Sequence, residues 1–216
     1  MKLLDKLFSS GGCYICHRDL KLKNGICPQC LSSMNLINKE IGERFPYLDA
    51  AYFLMEYTNL SRQVIKRMKY KEEVYFAKVF GDFMVDFIKI QELMGKIDCI
   101  TFVPMTKKKK IFRGYNQSEL IAKRISNKLD LACENLLVKT REGKDQIGLN
   151  SQERFSNVKN SFQSSSQAFG KRILLVDDVF TTGSTIMDCS RALKQARAEQ
   201  VIALVITKAD YIDRNK

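Results

Sequence analysis

The chain has 216 residues, 45% of them hydrophobic and 28% charged, the make-up of a globular protein with room for one α/β domain and a small appendage. Three Pro and 11 Gly exclude a collagenous or Pro-rich architecture, and the apolar share excludes disorder along the whole length. With 36 Lys and Arg against 24 Asp and Glu, the net charge of +12 points toward polyanionic partners: nucleic acid, phosphorylated metabolites or an acidic membrane face.

Met1–Phe8 opens like an export signal, but Asp5 and Lys6 interrupt it before an apolar core develops. No run approaches the roughly 18 apolar residues of a membrane span. No integral membrane segment and a cytoplasmic location are therefore expected.

Seven cysteines in such a chain are expected as thiols or metal ligands. Four form two pairs, Cys13-Tyr-Ile-Cys16 and Cys27-Pro-Gln-Cys30, in a C-x2-C-x10-C-x2-C pattern. Each pair lets two thiolates converge from one tight turn, and two facing turns supply four sulfurs at tetrahedral angles, the donor set of a closed structural Zn2+ site. Residues 17–26 between the pairs, with Lys21, Lys23, Asn24 and Gly25, suit a short hairpin. A redox role for either CxxC is disfavoured, because no thioredoxin-like βαβ unit lies nearby. His17, the only histidine, is expected to play no part. Cys99, Cys133 and Cys189 sit among apolar residues and read as small buried hydrophobes. Residues 1–36 are assigned to a zinc-ribbon segment and 37–216 to a second domain.

Within that domain, residues 50–55 read as an extended stretch. Leu60, Val64, Ile65 and Met68 have helical spacing opposite a basic face of Arg62, Lys66, Arg67 and Lys69. Phe76, Phe80, Phe83, Met84, Phe87 and Ile88 form the core stripe of a second helix. Ile97–Met105 reads as a buried strand ended by Pro104. A loop with four consecutive lysines, Lys107, Lys108, Lys109 and Lys110, follows, and then a helix with Leu120, Ile121, Ile125 and Leu129 on one side. Leu136–Lys139 is a short strand. Residues 141–170 are polar, with only Gln152–Val158 suggesting helix, and form the flexible loop of this reading.

Ile173–Val176 is an apolar strand without alternation, as in a parallel sheet covered on both faces. It ends at Asp177-Asp178. Thr181-Thr182-Gly183-Ser184-Thr185 then opens a helix, and Val201–Thr207 is a further strand. Alternating strands and helices predict an α/β fold with a mostly parallel sheet flanked by helices. Ligands bind at the carboxyl edge of such a sheet. Two adjacent acids there can accept hydrogen bonds from vicinal hydroxyls. Free backbone N–H groups and the helix dipole favour a phosphate, Gly183 permits close approach, and the four hydroxyls can donate to it. Ordinary capping accounts for one or two of these residues, not for all of them.

This stretch resembles the 5-phosphoribosyl-1-pyrophosphate (PRPP) motif of type I phosphoribosyltransferases. The resemblance implies that Asp177 and Asp178 bind ribose hydroxyls, that Thr181, Thr182, Gly183, Ser184 and Thr185 cradle the 5-phosphate, and that Mg2+ enters with the pyrophosphate. It places the pyrophosphate loop after the earlier strand, at Met105, Thr106 and Lys107.

Four segments in order resemble the ComF (ComFC) competence family: the paired CxxC, Arg113-Gly114-Tyr115-Asn116-Gln117, Gln146 and Leu149 followed by Arg154 and Asn157, and the PRPP motif. Ile65–Tyr70 is similar to the family's basic helix ending in Lys-Tyr. Tyr115 stands where Phe is commoner in the family, and Ser184 where Ala is. The resemblance implies a zinc ribbon joined to a phosphoribosyltransferase-like domain, a role in single-stranded DNA uptake during natural transformation, and contacts with other DNA-uptake proteins. Lys108, Lys109, Lys110, Arg113, Tyr115, Asn116 and Arg154 are the candidate ligand or nucleic-acid contacts. Arg113 offers a fork donor for phosphate, Tyr115 a stacking platform, and Asn116 equally a helix cap. No catalytic residue is identified. Three readings stay open: a DNA-uptake protein with a PRPP-binding site, an active phosphoribosyltransferase on a nucleobase or other small acceptor, and a PRPP-sensing regulator without chemistry.

Overall fold

The computed structural model describes residues 12–19, 22–71, 73–140 and 160–209. Among the described residues six strands form one sheet, in the order β1-β2-β8-β7-β3-β4. These are β1 (Leu36–Glu40), β2 (Ala50–Glu56), β3 (Cys99–Phe102), β4 (Ala132–Cys133), β7 (Arg172–Phe180) and β8 (Gln200–Lys208). Only β1 runs antiparallel to its neighbour. It lies at the sheet edge, with a register shift between Leu36 and Lys39 and charged residues at its end, the usual defences of an exposed edge.

Both faces of the sheet are covered. On one face Leu174, Val176, Ile202, Leu204 and Ile206 pack in one core with three helices: α2 (Asn59–Tyr70), α3 (Tyr75–Ile90) and α5 (Gln117–Leu129). On the other, Ile173, Leu175, Val201, Ala203 and Val205 pack against α6 (Ser184–Gln195) and the two-stranded β5 (Leu137–Lys139) and β6 (Phe162–Ser164). Each central strand must supply apolar residues to both sides, so β7 and β8 carry unbroken apolar runs.

The amphipathic patterns become helices where caps allow. Thr58 and Ser61 form a reciprocal capping box at the start of α2, and its apolar stripe buries Val64, Ile65 and Met68. α3 buries the aromatic stripe expected of it.

Several boundaries differ from expectation. The lysine run is the helix α4 (Lys107–Arg113): Thr106 accepts from the Lys109 N–H as N-cap, and Gly114 ends the helix in the left-handed region at φ 81°. Lysine has no apolar period to betray a helix, yet it is a good helix former between such caps. β7 continues four residues beyond Val176, so both acids lie on extended strand. β3 is shorter than Ile97–Met105. α1 (Pro28–Ser33) and β1 were not expected. Residues 162–168 hold β6 and a 3-10 turn, whereas 141–159 lie outside the described residues. Cys99 and Cys189 are buried as expected, and Cys133 is half-buried at the sheet edge.

Candidate functional site

Strand register assembles the site. Phe102 of β3 lies opposite Val176 of β7, and the Val103 N–H donates to the Val176 carbonyl at 3.1 Å. The segment after Val103 therefore emerges beside Asp177 and Asp178. Asn116 fastens this edge: its Nδ2 donates to the Val103 carbonyl at 3.0 Å, and its Oδ1 accepts from the Ser118 N–H at 3.0 Å, capping α5. The first turn of α5 is thus held over the carboxyl ends of β3 and β7.

That turn meets both acids. Ser118 Oγ donates to Asp177 Oδ1 at 2.8 Å, and Gln117 Nε2 donates to Asp178 Oδ2 at 2.6 Å. Lys69, in the last turn of α2, reaches Asp178 Oδ1 at 3.0 Å and Oδ2 at 2.9 Å. Arg113 donates to Gln117 Oε1 at 2.8 Å and lies 5.2 Å from the centre of the Tyr70 ring. A continuous chain thus runs Arg113–Gln117–Asp178–Lys69. Both acids are buried, at 9% and 4% exposure. Burial, and then the neighbouring charge of Asp178, push the Asp177 carboxyl up to about 7, with Ser118 and Lys69 pulling the other way. Burial works against the Lys69 charge, but Asp178 outweighs it and the pKa rises, so the site holds an ammonium.

Beyond the acids the chain turns through Thr181, Thr182 and Gly183 into α6. Gly183 sits at φ 73°, and a Cβ there would come within 2.5 Å of the Phe180 ring. Thr182 Oγ1 and Ser184 Oγ are 2.6 Å apart, and the Ser184 N–H also reaches Thr182 Oγ1 at 3.4 Å. Hydroxyls, a bare glycine and a helix N-terminus are therefore grouped at one end of the strand. A hard divalent cation suits this edge: Mg2+ takes one or two carboxylates and completes its shell with phosphate oxygens and water.

Met105, Thr106 and Lys107 are the link into α4, with Thr106 as its cap. Lys107 to Lys110 are exposed on α4, and Lys110 pairs with Glu119 of α5 at 2.7 Å. Ile111 and Phe112 on the same helix are 83% and 90% exposed. The Tyr115 hydroxyl donates to the Met68 carbonyl.

The four cysteine sulfurs all lie within 4.8 Å of one another. Cys16 and Cys27 sulfurs are 3.7 Å apart, close to the ~3.8 Å edge of a tetrahedron with 2.3 Å zinc–sulfur bonds. The N–H groups of Ile15 and Cys27 point at Cys13 Sγ at 3.4 and 3.3 Å, and that of Cys30 at Cys27 Sγ at 3.5 Å. Burial opposes the Cys13 thiolate, but backbone N–H bonds prevail and lower its pKa to about 6. Burial and the neighbouring sulfurs raise that of Cys30. Four converging thiols, some already served by N–H donors, fit a soft tetrahedral cation such as zinc. Among the described residues of the link between the pairs, Lys23 bridges Ile26 around a tight turn at Asn24 and Gly25. His17 is exposed and lies outside the cluster.

Residues 116–215 match the phosphoribosyl transferase domain family. The chain is 26% identical over 202 residues to competence protein F of Haemophilus influenzae, covering 89% of this chain and 88% of that one. DNA utilization protein YhgH of Escherichia coli is 26% identical over 206 residues, with 91% of each chain covered. Competence protein ComFC of Bacillus subtilis is 24% identical over 208 residues, covering 91% of this chain and 84% of that one. Relatives named for competence or DNA utilization thus match about nine-tenths of this chain, and the phosphoribosyl transferase domain family matches residues 116–215.

The fold brings Asp177, Asp178 and Thr181 to Thr185 to one edge, with Met105 to Lys107 leaving the adjacent strand. Asn116 is a buried cap, and the lysines face outward on α4. Gln146, Leu149, Arg154 and Asn157 lie outside the described residues. Lys69, Gln117 and Ser118 were not among the candidates. Lys69 and Gln117 stand in segments that resemble the family, but neither segment says which carboxylate its residue meets.

Proposed function

We propose that the chain is a competence protein that handles single-stranded DNA during transformation and binds PRPP, or a closely related phosphosugar, at the β7–α6 edge. The observation that carries this reading is the meeting of Lys69, Gln117 and Ser118 on the paired acids beside a hydroxyl-rich turn at a helix N-terminus. In this reading Thr181 to Thr185 and the first N–H groups of α6 hold the 5-phosphate. Asp177 and Asp178 exchange their present partners for ribose hydroxyls. Met105 to Lys107 face the pyrophosphate, and Arg113 adds positive charge nearby. Mg2+, bound with the pyrophosphate, would neutralise its charge. The names of the relatives supply the competence setting. The net charge of +12 and the basic α4 with its exposed Phe112 support a polyanion with stacking bases as the second partner. No helix among the described residues is long and apolar enough to cross a membrane.

Calorimetry with PRPP and Mg2+ tests the site. Saturable binding is expected, and it should be lost in the double variant Asp177→Ala with Asp178→Ala while the cysteine-bound metal is retained. Binding unchanged in that variant would place the ligand elsewhere. A pyrophosphate assay with nucleobases present then separates a transferase from a binding protein.

A further inference from the structure

Three consecutive residues at the end of α2 are each tied to a different part of the molecule. Arg67 reaches back to the cysteine knuckle: its Nη2 donates to the Tyr14 carbonyl at 3.0 Å and its Nη1 to the Ile15 carbonyl at 3.5 Å, both inside the first CxxC. The same guanidinium is held by Glu73, with Nε to both oxygens at 3.0 and 2.9 Å, and it lies 5.1 Å from the centre of the Phe76 ring. The Met68 carbonyl accepts from Tyr115, in the turn between α4 and α5. Lys69 bridges both oxygens of Asp178. Cys13 and Cys27 are themselves buried in the same core as Val64, Ile65 and Met68 of α2.

We propose that Lys69 is a ligand-binding residue of the phosphosugar site, and that the four-cysteine knuckle braces it there through Arg67. The proposal rests on the reading of the β7–α6 edge as that site. An ammonium is fixed beside the carboxylate that would meet the ribose, so it stands where a pyrophosphate on the same sugar needs a cation. Lysine side chains at helix ends carry large rotamer freedom, so aiming one at a buried carboxylate requires a backbone held in place. Arg67 supplies that hold with a planar fork on two carbonyls, which a lysine at that position lacks. Arg67 is therefore a positioning residue, acting on the ligand through Lys69, and a metal held by the four cysteines would act at one further remove, by fixing the Tyr14 and Ile15 carbonyls that Arg67 grips.

The test uses the full-length, metal-loaded chain, with PRPP and Mg2+ as the probe. Lys69→Ala is expected to raise the PRPP Kd about 10- to 100-fold, the range for a missing charge-assisted hydrogen bond. Arg67→Lys keeps the charge and is expected to raise it about 5- to 10-fold with the metal content unchanged by elemental analysis. The double variant should bind no more weakly than Lys69→Ala alone, because the two act in series. Wild-type affinity in Lys69→Ala overturns the ligand role. Wild-type affinity in Arg67→Lys, or strict additivity in the double variant, overturns the brace. If the wild-type chain binds no PRPP, the site reading and the ligand role of Lys69 fall together. Hydrogen exchange then decides the brace by itself. Faster exchange in both 64–71 and 173–185 in Arg67→Lys supports it, and a change confined to 12–19 overturns it.

Discussion

At the scale of single residues, the buried acids set the site's pH behaviour. A free aspartate titrates near 3.9, whereas Asp177 is pushed up to about 7. The folded chain therefore holds a proton there that the unfolded chain has released, and stability is lost as pH rises from about 4 to about 7. Asp177→Asn, which can still accept from Ser118, is expected to raise the Tm of the ligand-free protein at pH 8. The gain should shrink toward pH 5, on a scale of about 2–4 °C per kcal/mol. Thermal scans at the two pH values check this, and an equal gain at both would show that the substitution acts through packing. The acids and the glycine were legible in the sequence because a strand, two carboxylates and a hydroxyl-rich turn are contiguous. Lys69 was not. It stands 109 residues from Asp178, and the pair exists only because α2 ends over the carboxyl edge of β7. Gln117 and Ser118 depend in the same way on where α5 begins.

Elements carry the next level. α4 is seven residues long and presents its lysines together with Ile111 and Phe112 to solvent. If this helix lies along single-stranded DNA, its two kinds of residue have separable effects. Lys108→Ala with Lys109→Ala should flatten the salt dependence, by about 0.7 in the log–log slope for each phosphate no longer neutralised. Phe112→Ala should weaken binding by about 1–3 kcal/mol, the range for one stacked base, and leave the slope unchanged. Fluorescence anisotropy of a labelled oligonucleotide between about 50 and 200 mM salt, the range over which such binding weakens, reads both quantities. Unchanged affinity in both variants would remove α4 from the interface. The helix was hidden in the sequence for a local reason. Its caps, Thr106 and Gly114, are visible there, but four consecutive lysines carry no hydrophobic period to mark a helix. β1 was missed for a related reason: a half-buried edge strand of five residues, interrupted by an irregular register, shows little alternation.

For the whole molecule, the two cores matter most. Cys13, Ile26, Cys27 and Met34 belong to the same buried cluster as Phe76, Phe80 and Met84, so the knuckle shares the core of the helical layer. A segment of this length could not bury enough surface by itself. Its four-cysteine pattern was evident from spacing alone, but its seat was not, because Arg67 and the Tyr14–Tyr75 ring pair, 4.5 Å apart, join residues far separated in sequence. Chelation under reducing conditions is accordingly expected to lower the main unfolding transition by about 5–10 °C, at 2–4 °C per kcal/mol. A separate early transition, with the main one unmoved, would mean the knuckle melts independently. Calorimetric scans with and without chelator distinguish the two.

The elbow at Gly114, Tyr115 and Asn116 joins the outward-facing lysines of α4 to the first turn of α5, where Gln117 and Ser118 grip one carboxyl each. Tilting that elbow would re-aim both acids in a single movement. A pair of hydroxyls that took over the two carboxyls would undo both grips at once and leave the elbow free to swing.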